Sequence, residues 1–503
     1  MRTTLDGRHF DLLVIGGGIT GAGVARDAAM RGLQVALVDK DDFAGGTSSR
    51  SSRLVHGGIR YLEHGQIGMV RESVRERETL LRIAPHLVHP LAFTWPVYRG
   101  VRVSRAKLRL ALGVYDLLAG RLWSRSHRML SRDAVVELEP SIETEGLKGG
   151  ATYQDAATDD ARLTLANVLT AEAFGAVTLN YTEALRPISR DRSEWVVDVH
   201  DGLTGTESEV RARVVVNATG PWRLNLERRW PQRTAQRRGS KGVHISLPSG
   251  RVGNRGAVTM IHPDDGRVMF VLPGAAQTIV GTTDTWTEEA PDDVRASEAD
   301  VAYLLKAANA CFPDARVNQD DVVSAWAGIR PLADWEASKN PSAVSREHRI
   351  ARNGVGLITV SGGKLTTYRE MAAEIVDTVE RELGRKPSHC KTAETLLSGG
   401  ERGVEVASLI RAEPALGKPV VPGLPYTMAE LRYAVEKEKA VTLSDLLFRR
   451  TRVAYETPDH GSAVLQSVID LVAPLRKWSP DRISGQIDAY EADVERVFGV
   501  TVV

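Results

Sequence analysis

The feature that most constrains this chain is a glycine turn set between a short apolar strand and an alanine-rich helix. Phe10–Ile15 reads as a buried strand, and Gly16, Gly18 and Gly21 then fill the three positions of G-x-G-x-x-G. Ile19–Arg31 has the composition of a helix, with Gly32 just past its end. Leu33–Val38 is a second buried strand and closes a βαβ unit. In such a unit the first glycine permits the tight turn and the second lets a pyrophosphate approach the backbone. The third lets the helix pack on its strand, with its N-terminus toward the phosphates. Asp39 stands eighteen residues beyond Gly21, at the end of the second strand. A carboxylate there accepts hydrogen bonds from ribose hydroxyls and repels a 2′-phosphate. Strand, spacing, helix and acid agree, so the unit is expected to bind a dinucleotide.

At 503 residues the chain exceeds one ordinary core, and two or three domains are expected. A formal net charge of +1 argues for neither a nucleic-acid nor an acidic partner. The two cysteines, Cys311 and Cys390, lie far apart and offer neither a metal site nor a disulfide framework, so a reducing compartment is the natural reading. The first apolar run is too short for a signal-peptide core, and no stretch approaches the roughly 18 apolar residues of a spanning helix. A cytoplasmic protein, soluble or peripheral to a membrane, is expected.

Beyond the first unit, helices are expected over Gln66–Ala84, within Val101–Trp123, and over Asp159–Ala173, Ser297–Cys311 and Thr366–Leu383. Ala176–Leu179, Trp195–Val199, Ala212–Asn217, Val322–Ile329 and Gly356–Val360 read as strands, and Val243–Thr283 as a mixed or antiparallel sheet. Residues 384–426 read as a linker with little regular structure, followed by helical patterns at Met428–Phe448, Ala463–Leu475 and Arg482–Val497.

Later residues bear on which dinucleotide is bound. Thr47, Ser48 and Ser49, with Arg50 to Arg53, offer hydroxyls and cations soon after the ribose position. In His56-Gly57-Gly58-Ile59-Arg60-Tyr61 the paired glycines permit close backbone contact with a flat ligand. Downstream, Gly362-Gly363-Lys364-Leu365-Thr366-Thr367-Tyr368 repeats the order strand, glycine turn, helix start. A helix N-terminus beside a lysine suits the electron-rich edge of a reduced flavin. Taken singly, a Gly-Gly turn with a solvated lysine is a common surface feature.

The runs IGGGITGAGVARDAAMRG, TSSRSSRLVHGGIRYLEHG, NATGPW, GTTD and GGKLTTYREMA occur in this order. With them the chain resembles the FAD-dependent glycerol-3-phosphate dehydrogenases, the respiratory, quinone-linked enzymes. The resemblance covers about residues 10–383 and continues weakly in AELRYAVEKE…LSDLLFRRTR. It implies an α/β chain of amino-acid-oxidase-like flavoprotein fold. A Rossmann-like FAD-binding domain (1–90, 145–222 and 348–388) would accompany a substrate-binding domain with a mixed or antiparallel sheet (91–144 and 223–347). A linker and small C-terminal helical domain (389–503) would follow. Residues 400–431 look shorter than the helical cap of typical bacterial members, and Val243 stands where a polar residue is familiar.

The resemblance further implies noncovalent FAD, no metal, and oxidation of sn-glycerol 3-phosphate to dihydroxyacetone phosphate with a quinone as acceptor. The alternatives are a glycerol-3-phosphate oxidase that uses oxygen and an amino-acid or amine oxidase. FAD would be held at Gly16, Gly18, Gly21, Asp39, Thr47, Ser48, Ser49, Gly57, Gly58, Ala218, Gly220, Gly363, Lys364, Leu365 and Thr366. Arg60, Tyr61, Arg330 and Arg346 would bind the substrate, the arginines through its phosphate. His244 would take the alcohol proton, with Arg330 and Lys364 completing the catalytic set. From Arg99 to Arg132 basic residues interleave with Leu108, Leu110, Leu112, Leu117, Leu118, Leu122 and Trp123, against the single acid Asp116. Such a stretch can lie on an anionic membrane surface, which would place the protein on the inner face of the cell membrane. A homodimer is an option the residues leave open.

Overall fold

Strand His9–Ile15 is the centre of the first sheet because its second half, Leu12-Leu13-Val14-Ile15, is apolar on both sides, as a strand covered on two faces requires. It pairs in parallel with Val35–Val38 on one edge and with Thr206–Asn217 on the other. Val177–Leu179 and Leu357–Ser361 extend the parallel order outward. Arg349–Arg352 and the hairpin Thr182–Asp191/Glu194–Asp201 join antiparallel. Helices Ile19–Met30, Asp160–Ala173 and Tyr368–Glu382 bury Ala22, Leu165, Val168 and Ile375 against one face, and the hairpin covers the other with Val197 and Val199. This is a computed structural model, and it describes all residues except 1–4, 6, 121–125, 192–193, 223–238, 275, 332–346, 353 and 503.

The second sheet is largely antiparallel. Gly239–Pro248 runs between Gln277–Gly281 and Ser324–Arg330. Alternation along Gly239–Pro248 sends Val243, Ile245 and Leu247 into a core shared with helix Glu298–Cys311, and places His244 on the opposite face. Val243 is therefore a packing residue, wholly buried beside Ala327. Strand Leu147–Thr158 pairs with Val88–Tyr98 in this sheet, not in the first.

The segment read as an unstructured linker contains helix Arg402–Ala412, which buries only Val406 and so carries little of the apolar periodicity that marks a helix. The helical pattern at Met428–Phe448 is broken: Met428–Lys437 is a helix, Lys439 adopts φ +58°, and Asp445–Arg450 is a separate wider turn. These helices and the second sheet share one core, in which Leu431, Leu447 and Phe448 accompany Phe93, Tyr153 and Trp326. The tail is also bonded to the first unit. Asp42 accepts from Arg449 Nε at 2.7 Å and Arg450 Nη1 at 2.6 Å, and Asp159 accepts from Arg452 Nη2 at 2.6 Å. Buried pairs of this kind select one docking geometry more than they add stability. Among the described residues no helix is long and apolar enough to cross a membrane.

Candidate active site

A cavity of about 490 Å³ starts beyond the C-terminal ends of the parallel strands, at Ile15, Asp39, Ala218 and Gly362, and reaches the second sheet at His244, Phe270 and Arg330. Gly16 makes the turn with φ +104°, and a Cβ there would lie 2.7 Å from Ala218 O. Gly21 lies outside the lining. A Cβ on it would sit 1.9 Å from Gly16 O, so it holds the helix against its strand.

Asp39 lines the cavity beside this turn, its Oδ2 accepting Gly17 N–H at 2.6 Å and its Oδ1 accepting Asp41 N–H at 2.9 Å. Burial, and then the charge of Asp41, push its carboxyl up to about 7. A ribose hydroxyl donates to the ionised form, so ligand binding would pull that value down. FAD affinity of the apoprotein is therefore expected to rise with pH through 7, and Asp39→Asn to flatten the dependence. Fluorescence titration with FAD between pH 5.5 and 8.5 measures both, and a parent affinity independent of pH would remove Asp39 from the ribose.

The hydroxyls that follow also bond within the protein. Thr47 Oγ1 donates to Ile329 O at 2.7 Å and Ser48 Oγ accepts Ile19 N–H at 2.9 Å. Thr47 and Ser48 still line the cavity, but Ser49 does not, its Oγ donating to Gly46 O. These bonds fix the loop that borders the cavity. Arg50 lines the cavity, whereas Arg53 lies behind it, 5.6 Å from the ring of Trp326 and 5.1 Å from that of Tyr455.

At the far end the two distant glycine motifs meet. Thr366 Oγ1 accepts His56 N–H at 3.1 Å and donates to His56 O at 3.3 Å, joining residues 310 apart. Gly58, Arg60, Tyr61, Gly363, Lys364 and Leu365 line this end, as Ala218 and Gly220 line the other. Lys364 Nζ sits 4.1 Å from the Tyr61 ring centroid. Gly57 is not in the lining. Its N–H donates to Tyr115 and Asp155, and a Cβ would strike Tyr115 Oη at 2.3 Å, so it is a packing glycine beneath the site.

His244 and Arg330 face the same space from neighbouring strands. The imidazole stacks on Trp326 at 5.5 Å, and its Nε2 lies 2.8 Å from Ser52 Oγ, while the buried Nδ1 has no protein partner. It does not titrate near neutrality as an exposed histidine would: burial, then the charges of Arg330 and Arg53, lower it to about 3. Arg330 Nη1 bonds Asp284 Oδ1 at 3.0 Å and Ser240 Oγ at 3.2 Å, and Nη2 bonds Thr282 Oγ1 at 3.1 Å. The guanidinium lies over Gly242, where a Cβ would come within 2.3 Å of Nη2. Arg346 falls outside the described residues.

Asp284, Gly242 and Ser52 were not singled out from the sequence, although all three lie in its motifs. GTTD ends on Asp284, KGVHI contains Gly242 and TSSRSSR contains Ser52. The lining fits a flavin dinucleotide. A cradle that a Cβ at Gly16 would fill and a carboxyl near neutrality stand at one end, and cations from three segments, Arg60, Arg330 and Lys364, stand at the other.

Comparison with known proteins agrees with this geometry. The family model of FAD-dependent oxidoreductases matches residues 11–369, and that of the C-terminal domain of alpha-glycerophosphate oxidase matches residues 358–483. Aerobic glycerol-3-phosphate dehydrogenase of Staphylococcus aureus is 36% identical over 99% of this chain and 95% of its own. The tail is therefore the family's C-terminal domain. The structure of the glycerol-3-phosphate dehydrogenase from Bacillus halodurans, complexed with FAD, superposes with a TM-score of 0.79 at 32% identity, covering 98% of this chain and 96% of that one. L-alpha-glycerophosphate oxidase from Mycoplasma pneumoniae, at 18% identity and TM-score 0.58 over 76% of this chain and 98% of its own, shares the fold. With both family models matched in order and relatives aligned from end to end, the chain belongs to the FAD-dependent glycerol-3-phosphate dehydrogenase family.

Proposed function

We propose that this chain oxidises sn-glycerol 3-phosphate to dihydroxyacetone phosphate and passes the electrons to a membrane quinone. The observation that carries the reading is the meeting, in one cavity, of the dinucleotide turn at Gly16 with Arg330, Arg60, Lys364 and neutral His244. FAD, when bound, supplies the hydride acceptor at its N5. Arg330 and Arg60 hold the phosphate, with Arg346 as a further candidate, and Tyr61 with Lys364 borders the reacting carbon. His244, neutral and held by Ser52, takes the hydroxyl proton. Gly16, Gly18, Asp39, Thr47, Ser48, Ala218, Gly220, Gly363, Leu365 and Thr366 hold the cofactor noncovalently. The first sheet forms the FAD-binding part, the second the substrate-binding part, and the tail closes on both.

Anaerobic addition of sn-glycerol 3-phosphate to the yellow protein should bleach the flavin. Reoxidation by a quinone analogue without peroxide would separate the dehydrogenase from an oxygen-using oxidase. An oxidised spectrum that glycerol 3-phosphate leaves unchanged, while an amino acid bleaches it, would overturn the substrate assignment.

Peripheral attachment to the inner face of the cell membrane belongs to the same proposal, and a homodimer is compatible with it. Helix Arg105–Leu118 anchors itself through Leu108, Leu112 and Tyr115 and turns Leu110 and Leu117 outward, 71% and 65% exposed. The cationic excess is smaller than the segment alone implies, because Glu63 pairs with Arg102 at 3.0 Å and Lys107 at 3.3 Å. Arg121, Leu122, Trp123 and Arg125 lie outside the described residues. Sedimentation with anionic vesicles at low salt is expected to carry the protein down, and Leu110→Ser with Leu117→Ser to leave it in solution. Equal pelleting of both forms would exclude this helix as the anchor.

A further inference from the structure

Three side chains from separated segments cross the end of the cavity nearest Asp39. Lys40 follows the second parallel strand, Trp222 lies in the turn after Thr206–Asn217, and Asp292 comes from the second layer, between strands Thr285–Thr287 and Ala296–Ser297. All three line the cavity. Asp292 Oδ1 accepts from Lys40 Nζ at 2.8 Å, and its Oδ2 accepts from Trp222 Nε1 at 2.9 Å. The ammonium also lies 5.0 Å from the Trp222 ring centroid, and the indole rests on Gly46, where a Cβ would sit 2.6 Å from the ring. Burial alone would raise the Asp292 carboxyl, but bonds from Lys40 and Trp222 hold it below its usual range.

We propose that Asp292 is the latch of a clasp that closes the two layers over the adenosine of bound FAD. The inference rests on the reading of this cavity as the FAD site, with Asp39 at the ribose. One carboxylate holds both an ammonium and an indole, so a single group from the substrate layer fixes two walls of the adenosine end. FAD leaves only when both bonds break together and the layers part. Because Lys40 and Asp292 are 36% and 48% exposed, the ion pair is reached by salt, and the clasp is a kinetic barrier that ions weaken.

The test is FAD release from purified holoprotein, read as free-flavin fluorescence after dilution at low and high potassium chloride. Asp292→Ala is expected to release FAD about five- to tenfold faster than the parent, the loss of one half-exposed ion pair and one hydrogen bond. Asp292→Asn keeps an acceptor for Trp222 and is expected to release at an intermediate rate that salt does not change. Release from the parent is expected to quicken with salt. A melting curve of each variant separates faster release from unfolding. Parent-like release from a folded Asp292→Ala protein, or equal salt dependence in Asp292→Asn and the parent, overturns the clasp while leaving the FAD site intact. A parent that neither carries nor binds FAD overturns the cavity reading instead.

Discussion

Arg330→Ala is expected to lower kcat/KM for sn-glycerol 3-phosphate by about a hundredfold or more, mostly through KM, because the two charge-assisted hydrogen bonds proposed to phosphate would be worth about 1.5–3 kcal/mol each. The substitution does more than remove a cation. Arg330 pairs with Asp284, whose side chain is almost fully buried and also receives Ser240 Oγ. Without the guanidinium, that buried carboxylate keeps Arg267 Nη1 at 3.4 Å but loses the cation that separates it from the proposed phosphate position. Arg330→Lys should recover part of the loss, since an ammonium supplies charge but not the planar fork. Asp284→Asn placed on Arg330→Ala should also recover part, which a simple loss of substrate bonds would not produce. Steady-state kinetics with an artificial acceptor, beside flavin content, decide the matter. An alanine variant with unchanged KM would take Arg330 out of the phosphate site.

His244→Gln is expected to slow anaerobic flavin reduction by about a hundredfold, the usual scale of general-base catalysis. Substrate binding and flavin content should change little. Stopped-flow absorbance of the reductive half-reaction reads the effect directly, and a full-speed variant would make His244 structural. The pH dependence has a definite sign. Burial, Arg330 and Arg53 hold the imidazole near 3, so it is neutral throughout the working range and contributes no acidic limb near pH 6.5. Substrate phosphate would oppose the two arginines and raise that value in the complex, which makes the base stronger where it is needed. For stability, the unfolded chain takes up the histidine proton near its ordinary value while the folded chain does not. The folded state thus loses stability from this group as pH falls from about 6.5 toward 3.

The parts of this protein legible in its sequence are those governed by neighbours in the chain. The turn at Gly16, the helix that follows and the strands Val35–Val38 and Leu357–Ser361 obey glycine, capping and apolar-period rules that act over a few residues. The motifs at residues 56–61 and 362–368 carry little weight singly and are placed at the cofactor by their joint occurrence and the family resemblance. Helix Arg402–Ala412 was illegible because it buries one side chain, so its pattern carries almost no apolar period.

What only the tertiary structure decided is how charges and hydroxyls are paired. Thr47 and Ser48 line the cavity, and only the fold shows that their hydroxyls also bond Ile329 and Ile19. The basic helix looks unopposed until Glu63 arrives from a different element. Arg330 meets Asp284 at 46 residues' separation, and Asp42 meets Arg450 at 408. An ion pair forms wherever packing brings two groups within a few ångströms, and sheet register sets that distance. Protonation follows the same logic: burial shifts both His244 and Asp39, and the distant charges of Arg330 and Arg53 act on His244 through space. Local pattern determined the Gly16 turn and its helix by itself, because these need only their own residues. The chemistry of the cavity's far end depended on the meeting of two sheets, since its charges come from segments that no short-range rule connects.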